Sequence, residues 1–247
     1  MARALSILEL FNDRRLELTT NAIAQLTGLN RGTTYRFCRT LLSLGYLEEV
    51  EPSTFRPGVK CISLAQAALG SREIVQIAMP YLNRLHESLN ESVNMAILDD
   101  TEIVYVVRLL SSDLLTLRLG VGSRMPAYAT SLGRAMLAFL PPNVAADNLD
   151  RSEITALTPW TLTSRTAIEK DLAAIRSNGY AYNDQGVAAG VRGIAAPVLD
   201  ARGRPLASIN LSIARPLTSR DVTRKLAPEV IRTAREIGAR ATELHVG

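Results

Sequence analysis

The feature that most constrains the fold of this chain is a glycine-punctuated run of three short helical patterns within the first 45 residues. Residues 4–11 carry an apolar stripe at helical spacing, and residues 19–28 carry a second pattern about two turns long that Gly28 ends. Asn30 is a suitable N-cap for a third helix, which we expect to run to Gly45. A short second helix joined to a third helix by a tight glycine turn predicts a helix-turn-helix.

The third helix separates two kinds of side chain, because a turn of about 100° per residue gathers them on opposite sides. The predicted core side comprises Thr34, Phe37, Cys38, Leu41, Leu42 and Leu44. The predicted outward side comprises Gly32, Thr33, Arg36, Arg39, Thr40 and Ser43. Residues 29–47 contain no acidic residue, whereas a solvated surface helix usually interleaves acids with bases. The pattern therefore favours contact between this helix and the major groove of DNA.

A β-hairpin is expected directly after the third helix. Residues 46–50 and 55–57 have strand character and flank a turn at Pro52 and Ser53, which together predict a wing. Arg56 lies beside this turn, where it would either reach a phosphate or the minor groove, or form a salt bridge with the neighbouring glutamates. The predicted DNA-contacting residues are Asn30, Arg31, Thr33, Thr34, Tyr35, Arg36, Arg39 and Arg56.

The rest of the chain alternates helices and strands. Two helices are expected around a break at Gly70, and two strands flank the turn at residues 99–100. Further strands are expected at 114–119, 194–199 and 206–213, and further helices at 131–140, 167–177 and 219–244. These elements predict an α+β fold in which a mixed sheet is flanked by helices.

The segment PAYATSLGRAML, residues 126–137, is the best candidate ligand site on physical grounds. A loop of small residues leads into a helix whose first turn presents free N–H groups and the positive end of the helix dipole. Thr130 and Ser131 add hydroxyl donors, and Gly133 would let a ligand approach the backbone. The alternative is that one of these hydroxyl groups only caps its own helix.

Four stretches, in this order and at these separations, resemble one protein family. They are RALSILELF, TTNAIAQLTGLNRGTTYRFCRTLLSLGYLE, LGVGSRMPAYATSLGRAMLAF and GVRGIAAPVLDARGRPLASINLS. They are similar to the isocitrate lyase regulator (IclR) family of bacterial transcription factors. The resemblance implies a winged helix-turn-helix DNA-binding domain at residues 1–60, a linker helix at 61–71 and a GAF-like effector-binding domain at 72–247. It also implies double-stranded operator DNA as a partner and self-association as a dimer or a dimer of dimers.

The resemblance further implies effector contacts on the turn before a helix and on the sheet that faces it. With Thr130 included, the set is Thr130, Ser131, Leu132, Gly133, Asn183, Val191, Gly193, Asn210 and Ser212. Asn183 stands where relatives often carry an aspartate, which removes a negative charge and makes an anionic effector easier to hold. The stretches look closest to regulators that answer to protocatechuate, 4-hydroxybenzoate or β-ketoadipate, so the implied effector is a small carboxylic acid. The candidate partners for its carboxylate, which the sequence does not rank, are Arg108, Arg118, Arg124 and Arg192.

Other classes of protein have little support in the sequence. His86 and His245 are the two histidines, and neither accompanies a nucleophile signature such as G-x-S-x-G. Cys38 and Cys61 lack metal-binding or redox spacing, and we expect no cofactor, no metal and no catalysis. No apolar run approaches the ~18 residues of a membrane span, and nothing marks the chain for export, so a cytoplasmic location is expected. The alternatives are an enzyme or a ligand-free interaction protein with an appended DNA-binding domain.

Overall fold

Three helices open the chain: α1 (Ala2–Leu8), α2 (Thr20–Thr27) and α3 (Arg31–Ser43). They belong to the first of two structural units, residues 1–72, and the second unit spans residues 73–247. The computed structural model describes residues 2–12, 15–70, 73–111 and 119–245. The spacing of the three helices confirms the predicted helix-turn-helix.

The residues at the ends of the two helices of the motif are close to those that the sequence indicates, although α3 ends at Ser43 rather than at Gly45. The Thr19 side chain accepts a hydrogen bond from the Ala22 N–H at the start of α2, and Gly28 ends that helix in a left-handed conformation with φ of 69°. Asn30 caps α3, since its side-chain oxygen accepts a hydrogen bond from the Thr33 N–H at 2.9 Å. Local chemistry therefore sets the turn between the two helices.

The core of the first unit is built around the inward side of α3. Cys38 and Leu41 are buried there, as predicted. Leu44, predicted on the same side, is 51% exposed because α3 ends at Ser43 and helical spacing no longer governs the next residue. The buried residues of this cluster are Ile7, Leu18, Ile23, Cys38, Leu41, Leu47 and Phe55.

The predicted wing is confirmed as a small antiparallel sheet. Strands β2 (Leu47–Glu51) and β3 (Thr54–Pro57) form the hairpin, and β1 (Leu18–Thr19) pairs with the other side of β3. Ser53 occupies the turn with φ of 64°. Phe55 of β3 is fully buried, so the hairpin is anchored to the core of the unit.

The helix that follows the wing, α4 (Lys60–Gly70), has no buried residue. Its large apolar side chains face solvent, with Ile62 62% exposed and Leu64 54% exposed. A helix with exposed apolar side chains of this size is a candidate for contact with another molecule.

The second unit contains a six-stranded sheet in the order β6-β5-β4-β9-β8-β7. Every pair in this sheet is antiparallel, whereas a mixed sheet was expected; two hairpins, β4-β5 and β8-β9, lie side by side through antiparallel pairing of β4 with β9. The strands are β4 (Ser92–Asp99), β5 (Glu102–Leu109), β6 (Arg124–Pro126), β7 (Ala181–Asp184), β8 (Arg192–Leu199) and β9 (Pro205–Ile213). Of the strand predicted at 114–119, all residues except Leu119 lie outside the described residues.

Helices cover the sheet of the second unit, and the predicted α+β class is confirmed. One side carries α6 and α8, and the helices α5 and α10 contact the strands and each other. These helices are α5 (Glu73–Leu89), α6 (Ser131–Leu137), α7 (Pro142–Arg151), α8 (Arg165–Asn178), α9 (Ser219–Asp221) and α10 (Ala227–His245). A π-helical turn separates α9 from α10 within the predicted C-terminal helix. The sequence analysis missed α7, although a proline at its first position is a typical start signal.

No helix within the described ranges combines the length and the apolar character needed to cross a membrane.

Candidate functional site

The first candidate site is the outward side of α3. Arg31 and Arg36 are exposed there, and neither guanidinium has a hydrogen bond or an ion pair with any described residue. Tyr35 is 44% exposed and Thr33 is partly exposed, so the N-terminal turn of the helix also presents side chains to solvent. An exposed row of free cations and small polar groups on one helix can approach phosphates and base edges directly.

The other two predicted DNA-contacting arginines are held by acids of the wing. Arg39 forms a salt bridge with Glu49 at 3.1 Å. Arg56 forms an ion pair with Glu48 at 2.9 Å and donates a hydrogen bond from its Nε–H to the same carboxylate oxygen at 3.0 Å, which is the salt bridge that the sequence offered as its alternative role. Both pairs are exposed and therefore weakly bound, so DNA phosphates can compete for these arginines.

Thr34 corrects the predicted DNA-contacting set. Its side chain is fully buried, and its hydroxyl donates to the Asn30 carbonyl at 3.1 Å. Thr34 therefore belongs to the inward side of α3, where helical spacing places it, and its side chain cannot reach DNA.

The second candidate site is a cavity of about 30 Å³ between the start of α6 and the sheet. Seven of the nine residues predicted to contact an effector line it, joined by Tyr105, Val187 and Arg192. The seven are Thr130, Ser131, Asn183, Val191, Gly193, Asn210 and Ser212. Hydroxyl and amide groups from four separate segments thus meet at one point in the second unit.

A hydrogen-bonded network connects these groups across the sheet. The Asn210 amide donates to the hydroxyl oxygens of Ser131 and Ser212, each at 3.4 Å. Asn94 donates to the Asn210 side-chain oxygen at 2.8 Å and to Ser212 at 3.1 Å. The sequence analysis missed Asn94, although a lone polar residue inside the apolar strand β4 was an available signal.

The two hydroxyl groups before and at the start of α6 have different roles. Thr130 caps the helix, because its oxygen accepts a hydrogen bond from the Gly133 N–H at 2.9 Å. Ser131 makes no such capping bond, and its oxygen is the acceptor for the Asn210 amide. The capping alternative therefore applies to Thr130, while the Ser131 hydroxyl faces the cavity.

Leu132 and Gly133 correct the predicted effector-contacting set. Leu132 is fully buried in the hydrophobic core beneath α6. A Cβ atom on Gly133 would overlap the Ala127 backbone, so this glycine allows close packing within the protein. Within the described part of the chain, neither residue lines the cavity. The Leu132 side chain packs into the core, and the Cβ position of Gly133 faces the Ala127 backbone.

Asn183 uses both ends of its amide. Its nitrogen donates to the Ala129 carbonyl at 2.5 Å, and its oxygen accepts from the Gly186 N–H at 2.8 Å. An ionised aspartate has no donor for the Ala129 carbonyl, so this local structure requires the amide. The amide of Asn183 therefore has a structural role at this position.

Two of the candidate carboxylate-binding arginines already have acidic partners. Arg124 pairs with Asp99 at 2.7 Å and with Glu102 at 2.6 Å. Arg192 pairs with Asp184 at 3.0 Å. The charge of each guanidinium is therefore already balanced by a carboxylate of the protein.

The other two candidates differ from these. Arg118 lies outside the described residues. Arg108 is partly buried and has no carboxylate of the described residues within salt-bridge distance. Its guanidinium lies 5.1 Å from the ring centroid of Tyr105, which lines the cavity, and burial lowers the pKa of Arg108. Arg108 is therefore a partly dehydrated cation beside an aromatic ring that lines the cavity.

Two larger clefts open elsewhere on the second unit. One of about 340 Å³ is bordered by Trp160, Tyr182 and Arg134, whose guanidinium pairs with Asp171 at 2.5 Å. The other, of about 320 Å³, is bordered by Arg176 and other residues of the α8 end and α10. The smaller cavity is nevertheless the place where the predicted hydroxyl and amide groups converge.

A helix-turn-helix unit followed by an α+β unit with a polar cavity defines a class of protein, the ligand-binding transcriptional regulators. Residues 1–51 match the IclR helix-turn-helix domain, and residues 66–239 match the C-terminal domain of the bacterial transcriptional regulator IclR. The chain belongs to the IclR family of bacterial transcriptional regulators.

Individual proteins support the same assignment. The Pca regulon regulatory protein of Pseudomonas putida is 32% identical over 240 residues, covering 96% of this chain and 82% of its own. A crystal structure of a transcriptional regulator from Rhodococcus sp. RHA1 is 34% identical, covers 98% of both chains and has a TM-score of 0.84. An IclR homolog of Microbacterium hydrocarbonoxydans, solved in complex with 4-hydroxybenzoate, has a TM-score of 0.82 at 24% identity, covering 97% of this chain and 98% of its own. These proteins are named as regulators, a class distinct from enzymes.

Proposed function

We propose that this regulator senses a small carboxylic acid, either an aromatic acid or a β-ketoadipate-pathway metabolite, and controls a catabolic operon. The observation that carries the proposal is the convergence of Ser131, Asn210 and Ser212 on one buried cavity. Buried hydroxyl and amide groups bind carboxylate and hydroxyl oxygens and fix their orientation. The similarity to a Pca regulon regulator and to a homolog that binds 4-hydroxybenzoate supports the aromatic class.

The cavity must enlarge to admit such an acid. A volume of about 30 Å³ corresponds to roughly one water molecule. One wall consists of Val187 and Val191 in the surface loop between β7 and β8, and loops of this kind move more readily than the sheet. Effector binding therefore selects an arrangement in which this loop is displaced.

In the proposed mechanism α3 reads the major groove, with Arg31 and Arg36 making the first contacts and Arg39 and Arg56 joining them once they leave their glutamates. The DNA-binding domain occupies residues 1–60, the linker helix residues 61–71 and the effector domain residues 72–247. Self-association through the exposed apolar side chains of α4 brings two recognition helices to two half-sites. As a DNA-binding regulator of a bacterial operon, the protein acts in the cytoplasm.

Effector and operator are coupled through a population shift. An effector that binds one arrangement of the dimer more tightly than the other changes the spacing of the two recognition helices. The coupling is reciprocal, so operator DNA changes effector affinity by the same factor.

A thermal-shift panel followed by operator binding tests the proposal. Protocatechuate, 4-hydroxybenzoate and β-ketoadipate are each added to the full-length protein, and a true effector at 100 times its dissociation constant stabilises it by about 2.7 kcal/mol. Fluorescence anisotropy with DNA from the upstream region of its own gene then measures whether that acid changes operator affinity. Absence of stabilisation by every acid, or consumption of the bound acid on incubation, would contradict a sensor role.

A further inference from the structure

A row of directly opposed residues crosses four strands on the cavity side of the sheet. Ala195 of β8 is opposite Asn210 of β9, Asn210 is opposite Asn94 of β4, and Asn94 is opposite Arg108 of β5. Directly opposed residues in antiparallel strands point to the same face. Arg108 therefore shares the face of Asn210, which lines the cavity, and lies two strands away, roughly 10 Å at the usual strand spacing.

The side chain of Arg108 is incompletely satisfied in this position. Its buried Nε–H makes no hydrogen bond to any described residue. In contrast, Arg192, which lines the cavity, pairs with Asp184 and also donates to two backbone carbonyls. A partly buried guanidinium without an anion is costly, and this cost falls when a carboxylate accepts two parallel hydrogen bonds from it.

The aromatic neighbour of Arg108 connects this cation to the cavity. Tyr105 lies on β5 three residues earlier, and a bulge in the pairing with β4 brings both side chains to the same face. The Tyr105 ring contacts the Arg108 guanidinium and also forms part of the cavity wall. Tyr105 is therefore a side chain that the cavity wall and the surroundings of Arg108 share.

Resting on the proposed function, we propose that Arg108 binds the carboxylate of the effector while Ser131, Asn210 and Ser212 bind the polar groups at its other end. The Tyr105 ring then lies alongside the body of the ligand, which favours a flat, unsaturated or aromatic acid. Arg124 and Arg192 keep their own acidic partners and take no part.

A purely structural role for Arg108 is the competing explanation. The side-chain oxygen of Asn94 is buried and accepts no hydrogen bond from the described residues, and Asn94 is the residue opposite Arg108. Arg108 would then serve as a local donor for Asn94. Arg108→Gln separates the two roles, because glutamine keeps a donor for Asn94 and removes the positive charge.

Calorimetric titration of two matched probes tests the inference. The probes are 4-hydroxybenzoate and its neutral amide, 4-hydroxybenzamide, and the proteins are the full-length wild type, Arg108→Gln and the control Arg124→Gln. We expect Arg108→Gln to weaken binding of the acid about ten- to a hundredfold and to change binding of the amide by less than about threefold. Arg124→Gln is expected to bind both probes like the wild type.

The possible outcomes distinguish this inference from the proposed function. Equal acid affinity in the wild type and Arg108→Gln overturns the role of Arg108 and leaves the sensor function intact. Equal losses for acid and amide, with a lower melting temperature, indicate the structural role and also overturn the inference. Failure of the acid to bind the wild type overturns both the inference and the aromatic-acid part of the proposed function. An unchanged unfolding transition of Arg108→Gln without ligand, followed by the fluorescence of Trp160 in the same unit, shows that the variant is folded.

Discussion

The outward side of α3 and the cavity side of the second sheet are both polar, but their polar groups differ in exposure and in hydrogen bonding. On α3, Arg31 and Arg36 are exposed and make no bond to a described residue. In the cavity, Ser131, Asn210 and Asn94 are buried and bonded to one another. The first surface is free to meet a partner, whereas the second must exchange existing bonds for new ones.

This difference predicts different consequences of mutation. An exposed cation contributes little to folding, so its loss changes binding alone. A buried amide or hydroxyl group contributes to both folding and binding, because removing one hydrogen-bond partner leaves the other unsatisfied. The contacts between Asn210 and Ser131, at 3.4 Å, are longer than a typical hydrogen bond, so an effector replaces them at little cost.

The largest effect tests whether α3 really has one buried and one exposed side. Leu41→Ala is expected to lower the free energy of unfolding of the first unit by about 2–5 kcal/mol, because Leu41 is 5% exposed within the core. Operator binding is expected to fall through unfolding. Far-UV circular dichroism in urea measures the loss, while fluorescence of the single tryptophan, Trp160, reports on the second unit separately.

Leu44→Ala provides the matched control for this experiment. Leu44 is 51% exposed, so its removal is expected to change the unfolding free energy by less than about 0.5 kcal/mol. Equal destabilisation by both variants would show that the assignment of the two sides of α3 is wrong. A tryptophan transition that shifts with Leu41→Ala would show that the two units do not unfold independently.

A second prediction concerns the two hydroxyl groups at the start of α6. Ser131→Ala is expected to weaken effector binding by about two- to tenfold, since a neutral hydrogen bond contributes ~0.5–1.5 kcal/mol. Thr130→Ala is expected to show the reverse pattern, losing about 1 kcal/mol of folding stability with its cap and changing effector affinity less. Calorimetry and melting curves on both variants measure the two effects, and a shared pattern in the two variants would contradict the separate roles.

The sequence predicts the first unit better than the second because its structure depends on neighbours in the chain. The caps at Thr19 and Asn30, the stop at Gly28 and the wing all follow from local residue chemistry. Two residues show the limit of this reasoning. Thr34 was assigned both to the core side of α3 and to the DNA-contacting set, and Leu44 was assigned to the core side although it lies past the end of the helix.

The cavity could not be derived from local pattern. Asn94 and Asn210 bond across 116 positions of the chain, and no periodicity indicates that pairing. The family resemblance identified the residues that line the cavity but included Leu132 and Gly133, whose roles depend on packing against the core and against Ala127. The antiparallel pairing of the whole sheet is likewise set by long-range contacts between the two hairpins.

A third prediction compares two arginines on the outward side of α3. Arg36 is free and Arg39 is paired with Glu49, so Arg36→Ala is expected to weaken operator binding more than Arg39→Ala. Loss of a base contact costs ~1–3 kcal/mol, whereas loss of a phosphate contact lowers the salt dependence of the affinity by about one unit of slope. Anisotropy titrations over a range of salt concentrations measure both quantities. Wild-type affinity in both variants would remove α3 as the reading element.

The smallest expected effect on operator affinity comes from breaking the salt bridge between Arg39 and Glu49. Glu49→Gln is expected to strengthen operator binding by up to about fivefold, because an exposed ion pair is worth at most about 1 kcal/mol and its loss frees Arg39 for DNA. Simple relief of repulsion between Glu49 and phosphates would strengthen binding too, so the same substitution is repeated in the Arg39→Ala background. If Glu49 acts by holding Arg39, the gain disappears there. If the gain persists, Glu49 acts by repelling the phosphates, and its salt bridge with Arg39 does not limit operator affinity.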